Sequence, residues 1–159
     1  MSKFHREVQI FNGVEWLDFN GKEVSSLFNI LDSSPFKISK GELSVAFLDI
    51  ENMQNLHLKF SNNSMLTDVI TFVGDRQMDF AGEICVSPDY ALSNCEAYGT
   101  TFSEELSLYL IHGYLHIYGL NDISQNETKR MREGENTCMS LVKKANALPT
   151  FFTHYNVAK

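Results

Sequence analysis

Two histidines, His112 and His116, stand four residues apart, and a carboxylate, Asp122, follows the second of them by six. On an α-helix this spacing puts both imidazoles on one face, about 6 Å apart along the axis, so both nitrogens can reach a single cation. Zinc takes nitrogen ligands at about 2.0–2.1 Å in a tetrahedral array, and two histidines one turn apart supply half of it. Gly119 can take the left-handed conformation that ends a helix, and its turn lets the Asp122 carboxylate return to the same ion. A cation held this way lowers the pKa of a water it holds and stabilises charge on a reacting centre, which is hydrolytic chemistry. His112, His116 and Asp122 are therefore the expected metal ligands and, through that water, the expected catalytic group. No general base is assigned.

A glycine three residues after the second histidine, with an oxygen ligand three further on, reproduces the spacing of the metzincin zinc site. Zinc is the expected cofactor, one ion, although two histidines and a carboxylate also suit iron(II), and nickel(II) is a further alternative. The competing reading makes both histidines neutral core residues bonded to carbonyls, with Asp122 turning the loop before Ser124. Two neighbouring buried imidazoles would then each need a separate partner, whereas a shared cation satisfies both. Where zinc peptidases carry a glutamate base, this chain has Gly113, which argues against ordinary peptide hydrolysis. Glycine there is expected to leave open space over the ion for a substrate backbone such as a phosphodiester.

These residues need a buried helix to hold them. From Ser103, which can cap a helix with Glu104 and Glu105 in its first turn, apolar residues cover nearly every side of the segment ending at Gly119. Ser124-Gln-Asn-Glu127 has the capping-box pattern and opens a last helix towards Ala145, weakened locally by Gly134. Earlier in the chain, strands are expected at residues 7–11, 43–50, 68–73 and 83–87, the last two joined as a hairpin through the stretch containing Gly74 and Asp75. Helices are expected at 23–31, 52–60 and 88–98, and the three prolines fall where helices start or stop. The fold class is α+β: a mixed sheet of about four strands packed with helices, carrying a zincin-like metal site on a central helix.

A chain of 159 residues with 43% hydrophobic residues and no repeat or linker is expected to form one domain over residues 1–159. The stretch Met1–Glu7 lacks the apolar run of a signal peptide, and no window approaches the roughly 18 apolar residues of a membrane span. A cytoplasmic protein with no membrane partner is expected. Three cysteines without a C-x-x-C pair fit a reducing compartment, where they act as small hydrophobes. The net charge of -7 excludes a protein that coats nucleic acid through a basic surface. A local patch can still meet RNA, and Lys129, Arg130 and Arg132, or Lys143 and Lys144, offer one.

The run from His112 to Asp122 (HGYLHIYGLND) resembles the signature of the YbeY family, bacterial metal-binding endoribonucleases that mature ribosomal RNA. Thr67–Phe72 (TDVITF) is similar to that family's T-D-V-L-S-F strand and Gly82–Ser87 (GEICVS) to its G-D-I-x-I-S strand; Glu105-Leu106, Met131 and Glu135 also resemble its pattern. The resemblance covers roughly residues 43–141. It implies a single-strand-specific endoribonuclease acting in small-subunit RNA maturation and ribosome quality control. The implied partners are ribosomal RNA and ribosomal or assembly proteins.

Two positions depart from the family pattern. Its third ligand is usually histidine and here is Asp122, which cuts the net charge of a zinc site from +2 to +1; its usual arginine after an aromatic is Ser61, following Phe60. His57 is a candidate to line the cleft or an exposed helical residue, while Asp68 and Glu83 are candidates to orient ligands or simply strand-end residues. Two other functions remain open: a metallopeptidase, and a non-catalytic ribosome-assembly factor with a structural metal.

Overall fold

The strand-rich run after Gly41 lies inside a sheet, as its scarcity of polar residues predicts. In a computed structural model, which describes residues 4–61 and 65–154, β3 (Glu42–Phe47) pairs in parallel with β1 (Val8–Asn12) on one side and with β5 (Phe80–Val86) on the other. β4 (Val69–Asp75) closes the far edge antiparallel to β5, giving the order β1-β3-β5-β4. The hairpin connection is a single 3-10 turn, Arg76–Met78, with Asp79 left-handed at φ 53°. Leu43, Val45 and Phe47 alternate into the core. Met1, Ser2 and Lys3, the start of the stretch read as carrying no signal peptide, lie outside the described residues.

Five helices complete the α+β fold: α1 (Gly21–Leu31), α2 (Ile50–Ser61), α3 (Pro88–Asn94), α4 (Phe102–Tyr118) and α5 (Gln125–Lys144). Residues 48–50, expected to continue β3, instead turn out of it: Leu48 keeps one bond to the Val86 carbonyl, and Asp49 accepts from the backbone N–H of Asn52 at the start of α2. α3 stops at Asn94 rather than at residue 98. No described helix is long and apolar enough to cross a membrane. Cys85 and Cys138 are buried thiols, pushed up to about 12 and about 11 chiefly by burial, as small core hydrophobes should be.

α4 is the axis of the molecule. Its N-cap is Thr101, two residues before the expected Ser103: the Thr101 hydroxyl accepts from the Glu104 N–H, and Glu104 accepts in return from the Thr101 N–H, both at 3.1 Å. Ser103 does a different job, accepting from the Phe151 N–H at 2.9 Å. That bond anchors β6 (Phe151–Thr153), which pairs antiparallel with β2 (Leu17–Phe19) in a second, two-stranded sheet absent from the sequence reading.

Two glycines set how closely α4 packs. A Cβ on Gly113 would come 2.6 Å from Ile84 Cγ2 and 3.2 Å from both Thr71 and Val69, so this residue presses the helix onto the sheet. The expectation that Gly113 opens space over an ion is thus overturned. Gly134 likewise sits against Leu115 and Leu120 within an unbroken α5, so the two helices pack closely there. Gly113→Ala is expected to destabilise the fold by about 1–3 kcal/mol, because Ile84 and its neighbours must shift, and urea denaturation measures the loss.

A buried ion pair ties the N-terminal strand to this core. Arg6, 1% exposed, grips Asp32 with two bonds (2.7 and 3.0 Å) and donates to the Gly41 carbonyl at 2.6 Å. Tyr114 of α4 donates to the same carboxylate at 2.7 Å.

Candidate metal centre

α4 ends where the chain chemistry says it must. Gly119 takes φ 122°, and its N–H and that of Leu120 close the last turn on the carbonyls of Leu115 and His116. The following loop is short because α5 starts at once, on a capping box between Ser124 and Glu127. Thr128, in the first turn of α5, donates its hydroxyl to the Asp122 carbonyl at 3.1 Å and so fixes the loop.

This arrangement brings His112, His116 and Asp122 together. One ligand-capable atom from each lies within 4.8 Å of the others. The two Nε2 atoms are 3.0 Å apart, and Asp122 Oδ2 lies 3.3 Å from His112 Nε2 and 3.7 Å from His116 Nε2. The opposite ring nitrogens are already engaged: His116 Nδ1 donates to the Leu120 carbonyl at 3.0 Å, and His112 Nδ1 donates to Glu135 Oε2 at 2.6 Å. With those protons in place, a neutral imidazole has its lone pair on Nε2. Two lone pairs and a carboxylate oxygen then face one another, and a cation between them is the arrangement that satisfies all three. The donor set fits a divalent metal.

Burial alone would push the His112 imidazole down, yet the Glu135 carboxylate, with Asp68 and Asp122 behind it, holds its pKa above the ordinary histidine value. His116 is lowered, by burial first and then by its neighbour His112. The side chains are 15%, 23% and 41% exposed for His112, His116 and Asp122, so solvent reaches the group most easily from the Asp122 side.

The centre opens into a cleft of about 510 Å³ lined by Asp68, Tyr90, Tyr98, Thr100, Glu105, Leu108, Tyr109, His112, Asp122, Arg132 and Glu135. Of the residues singled out in the sequence, Asp68 and Arg132 reach the cleft. Glu83 stays on β5 beside Cys85, and His57 sits on α2 with its ring against the Met65 carbonyl; neither lines the cleft. Ser61 turns back to the His57 carbonyl at 2.6 Å. Lys129 and Arg130 are exposed on α5, and Lys143 pairs with Glu104 across the helix ends.

Glu135 is the residue whose role sequence reasoning missed. A carboxylate on the buried stripe of Met131, Cys138 and Val142, in a helix otherwise polar, was the signal. It is 4% exposed and joins His112 on one oxygen to Arg132 on the other, at 3.0 Å. Glu135→Gln is expected to weaken zinc binding by about 10- to 100-fold, the usual effect of removing a ligand's hydrogen-bonded support. A competition titration with a chromophoric chelator reads it directly.

Comparison with known proteins places these features in context. The model of a family described as endoribonuclease YbeY matches residues 17–143. Curated relatives named endoribonuclease YbeY include one from Bacteroides thetaiotaomicron, 30% identical over 132 residues, covering 81% of this chain and 93% of that one. Another, from Chlamydia pneumoniae, is 34% identical over 122 residues, 72% of this chain and 77% of its own. The solution structure of TM1509 from Thermotoga maritima shares the fold, with a TM-score of 0.61 at 24% identity over 87% of this chain and 90% of that one.

Proposed function

The chain belongs to the endoribonuclease YbeY family, and from that premise we propose that it is a metal-dependent endoribonuclease specific for single strands. It acts in the cytoplasm, as one domain over residues 1–159, on ribosomal RNA of the small subunit, in maturation and in ribosome quality control alongside ribosomal or assembly proteins. The observation that carries the reading is the convergence of His112 Nε2, His116 Nε2 and Asp122 Oδ2 within 4.8 Å of one another beside an open cleft that His112 and Asp122 line.

His112, His116 and Asp122 would hold one ion in a zincin-like site, zinc by preference, with iron(II) or nickel(II) as alternatives. When bound, a divalent cation supplies Lewis acidity, polarising a phosphoryl oxygen and making water more acidic. The chain's own residues do the rest. Glu135 and the Leu120 carbonyl keep the Nδ1 protons of the two histidines, so both Nε2 lone pairs stay turned towards each other and Asp122. Arg132, whose guanidinium is anchored on Glu135 while its side chain is 69% exposed, stands at the cleft wall to meet a phosphate. It supplies a cation that Ser61, on α2, does not. Gly113 faces the sheet, so that position offers no zincin-type base.

The test gives zinc-reloaded and chelator-stripped protein three substrates side by side: a single-stranded RNA, the same RNA as a duplex, and an unstructured polypeptide. Cleavage of the single strand, lost on chelation and restored by zinc, is expected. Cleavage of polypeptide alone would make the protein a metallopeptidase. Cleavage of none of them, with small-subunit RNA maturation in cells unaffected by Asp122→Ala, would leave an assembly factor with a structural metal.

A further inference from the structure

The four-stranded sheet has two edges. Gly113 of α4 packs against Val69 and Thr71 of β4 at one of them, and β1 forms the other. The Leu43 N–H donates to the Glu7 carbonyl at 3.0 Å and the Gly13 N–H to the Phe47 carbonyl at 2.8 Å, so the odd-numbered residues of this stretch turn their backbone groups to β3. Those of Arg6, Val8 and Ile10 point the other way. At Arg6 the Asn29 side chain of α1 takes the place of a neighbouring strand: its Oδ1 accepts from the Arg6 N–H at 2.9 Å and its Nδ2 donates to the Arg6 carbonyl at 3.4 Å. Beyond it the N–H and C=O groups of Val8 and Ile10 have no partner among the described residues. A groove of about 570 Å³ runs beside this open row, lined by Val8 and Ile10 on one side and by Gly21, Lys22, Ser25 and Ser26 of α1 on the other. Lys22 and His5 reach it and no carboxylate does, in a chain of net charge -7. On the opposite face of β1, Phe11 stands 60% exposed.

We infer that the β1 edge is a docking site for an extended segment of a partner protein, one that alternates acidic and apolar residues and joins the sheet as a fifth strand. An unpaired strand edge is a template for another chain, and proteins that leave theirs unused blunt it with lysine, proline or a bulge. β1, Val8-Gln-Ile-Phe-Asn12, has none of these, and its pairing with β3 keeps one register throughout. Backbone hydrogen bonds to such an edge supply affinity, and the alternate side chains of the added strand supply selectivity. Successive side chains of that strand point to opposite faces. One set lies over the groove, where Lys22 and His5 favour carboxylates, and the other lies on the Phe11 face, where apolar residues are favoured. Charge also decides against a second copy of this chain as the occupant: β1 paired to β1 brings no carboxylate to either groove, because the strand carries none. The site is independent of the nuclease reading. It lies at the sheet edge away from β4, so an occupied edge leaves the metal cleft open.

Titration of the full-length, isotope-labelled protein with three synthetic peptides, followed by NMR, tests the site. One peptide alternates valine and glutamate; the second is the same peptide N-methylated throughout, which keeps its charge and removes its N–H donors; the third alternates valine and lysine. The valine–glutamate peptide should shift the amide signals of Val8, Ile10 and Lys22, slow hydrogen exchange at Val8 and Ile10, and bind roughly tenfold more tightly than either of the others. A general attraction to this acidic protein would rank the lysine peptide first. Lys22→Glu, at an exposed position in the first turn of α1, should remove the preference for glutamate over lysine. Ser26→Trp, which fills the groove, should weaken the valine–glutamate peptide roughly tenfold while zinc affinity stays that of the parent. Peptide bound elsewhere, no peptide bound at all, equal binding of the N-methylated peptide, or a glutamate preference that survives Lys22→Glu overturns the inference. Signals of β1 that move with protein concentration alone, with a dimer in sedimentation, assign the edge to a second copy and overturn it too.

Discussion

Alanine in place of His116 is expected to weaken zinc binding by well over 100-fold and to abolish RNA cleavage, with the helix around it intact. Removing a residue that merely supports a ligand costs about 10- to 100-fold, so removing a ligand must exceed it. His116 Nε2 lies 3.0 Å from its partner imidazole and 3.7 Å from Asp122, and a hydrolytic zinc centre needs three protein ligands to hold its ion. The side chain is 23% exposed and its Nδ1 bonds only the nearby Leu120 carbonyl, four residues on, so little folding energy goes with it. Zinc affinity, cleavage rate and melting temperature measured on one preparation separate loss of the centre from loss of the fold. His57→Ala, on α2 and outside the cleft, is the matched control and should bind zinc as the parent does.

Arg6→Ala is expected to cost about 3–5 kcal/mol of folding stability, a large share of the roughly 5–15 kcal/mol available to a domain. The substitution strips a bidentate partner from Asp32, whose side chain is only 6% exposed, and leaves a buried charge that among the described residues keeps only the Tyr114 hydroxyl. It also frees the Gly41 carbonyl. The effect comes mainly from the stranded carboxylate rather than from the lost attraction, so replacing both partners together, Arg6→Met with Asp32→Leu, should recover much of the loss. Urea denaturation of the single and double variants measures both. A single variant as stable as the parent would show that the pair contributes nothing.

The parts of the fold legible in the sequence are those written in short-range patterns. The capping box at Ser124, the stop at Gly119 and the apolar run after residue 42 each carry their reason within a few residues. The three-residue strands β2 and β6 were illegible because neither has a pattern of its own. They exist because Phe19 and Phe151 meet, at 5.6 Å between rings, across 132 residues of chain. Thr101 displaced Ser103 as the cap because only Thr101 has Glu104 three residues on to complete the reciprocal pair.

The candidate centre shows the same division. That two histidines share a face follows from helical spacing alone, and that Asp122 can return to them follows from one glycine. Which way Gly113 faces depends on where the sheet lies, and it lies against Ile84, Thr71 and Val69. Glu135 reaches His112 from another helix 23 residues away, a contact that spacing does not encode, although a buried carboxylate on an apolar stripe was visible as an anomaly. The net charge of -7 also has a local counterpart, because Asp68, Glu105, Asp122 and Glu135 line the cleft with Arg132 as its one arginine or lysine among the described residues. Such a cleft suits a polyanion only with a cation in place.

Zinc-edge X-ray absorption on the protein loaded with one equivalent of zinc tests the central claim most directly. Two imidazole nitrogens and a carboxylate oxygen are expected at about 2.0–2.2 Å, with the imidazole outer-shell signal halved in His112→Ala. Sulfur at about 2.3 Å, or zinc that washes off the wild-type protein, would contradict it.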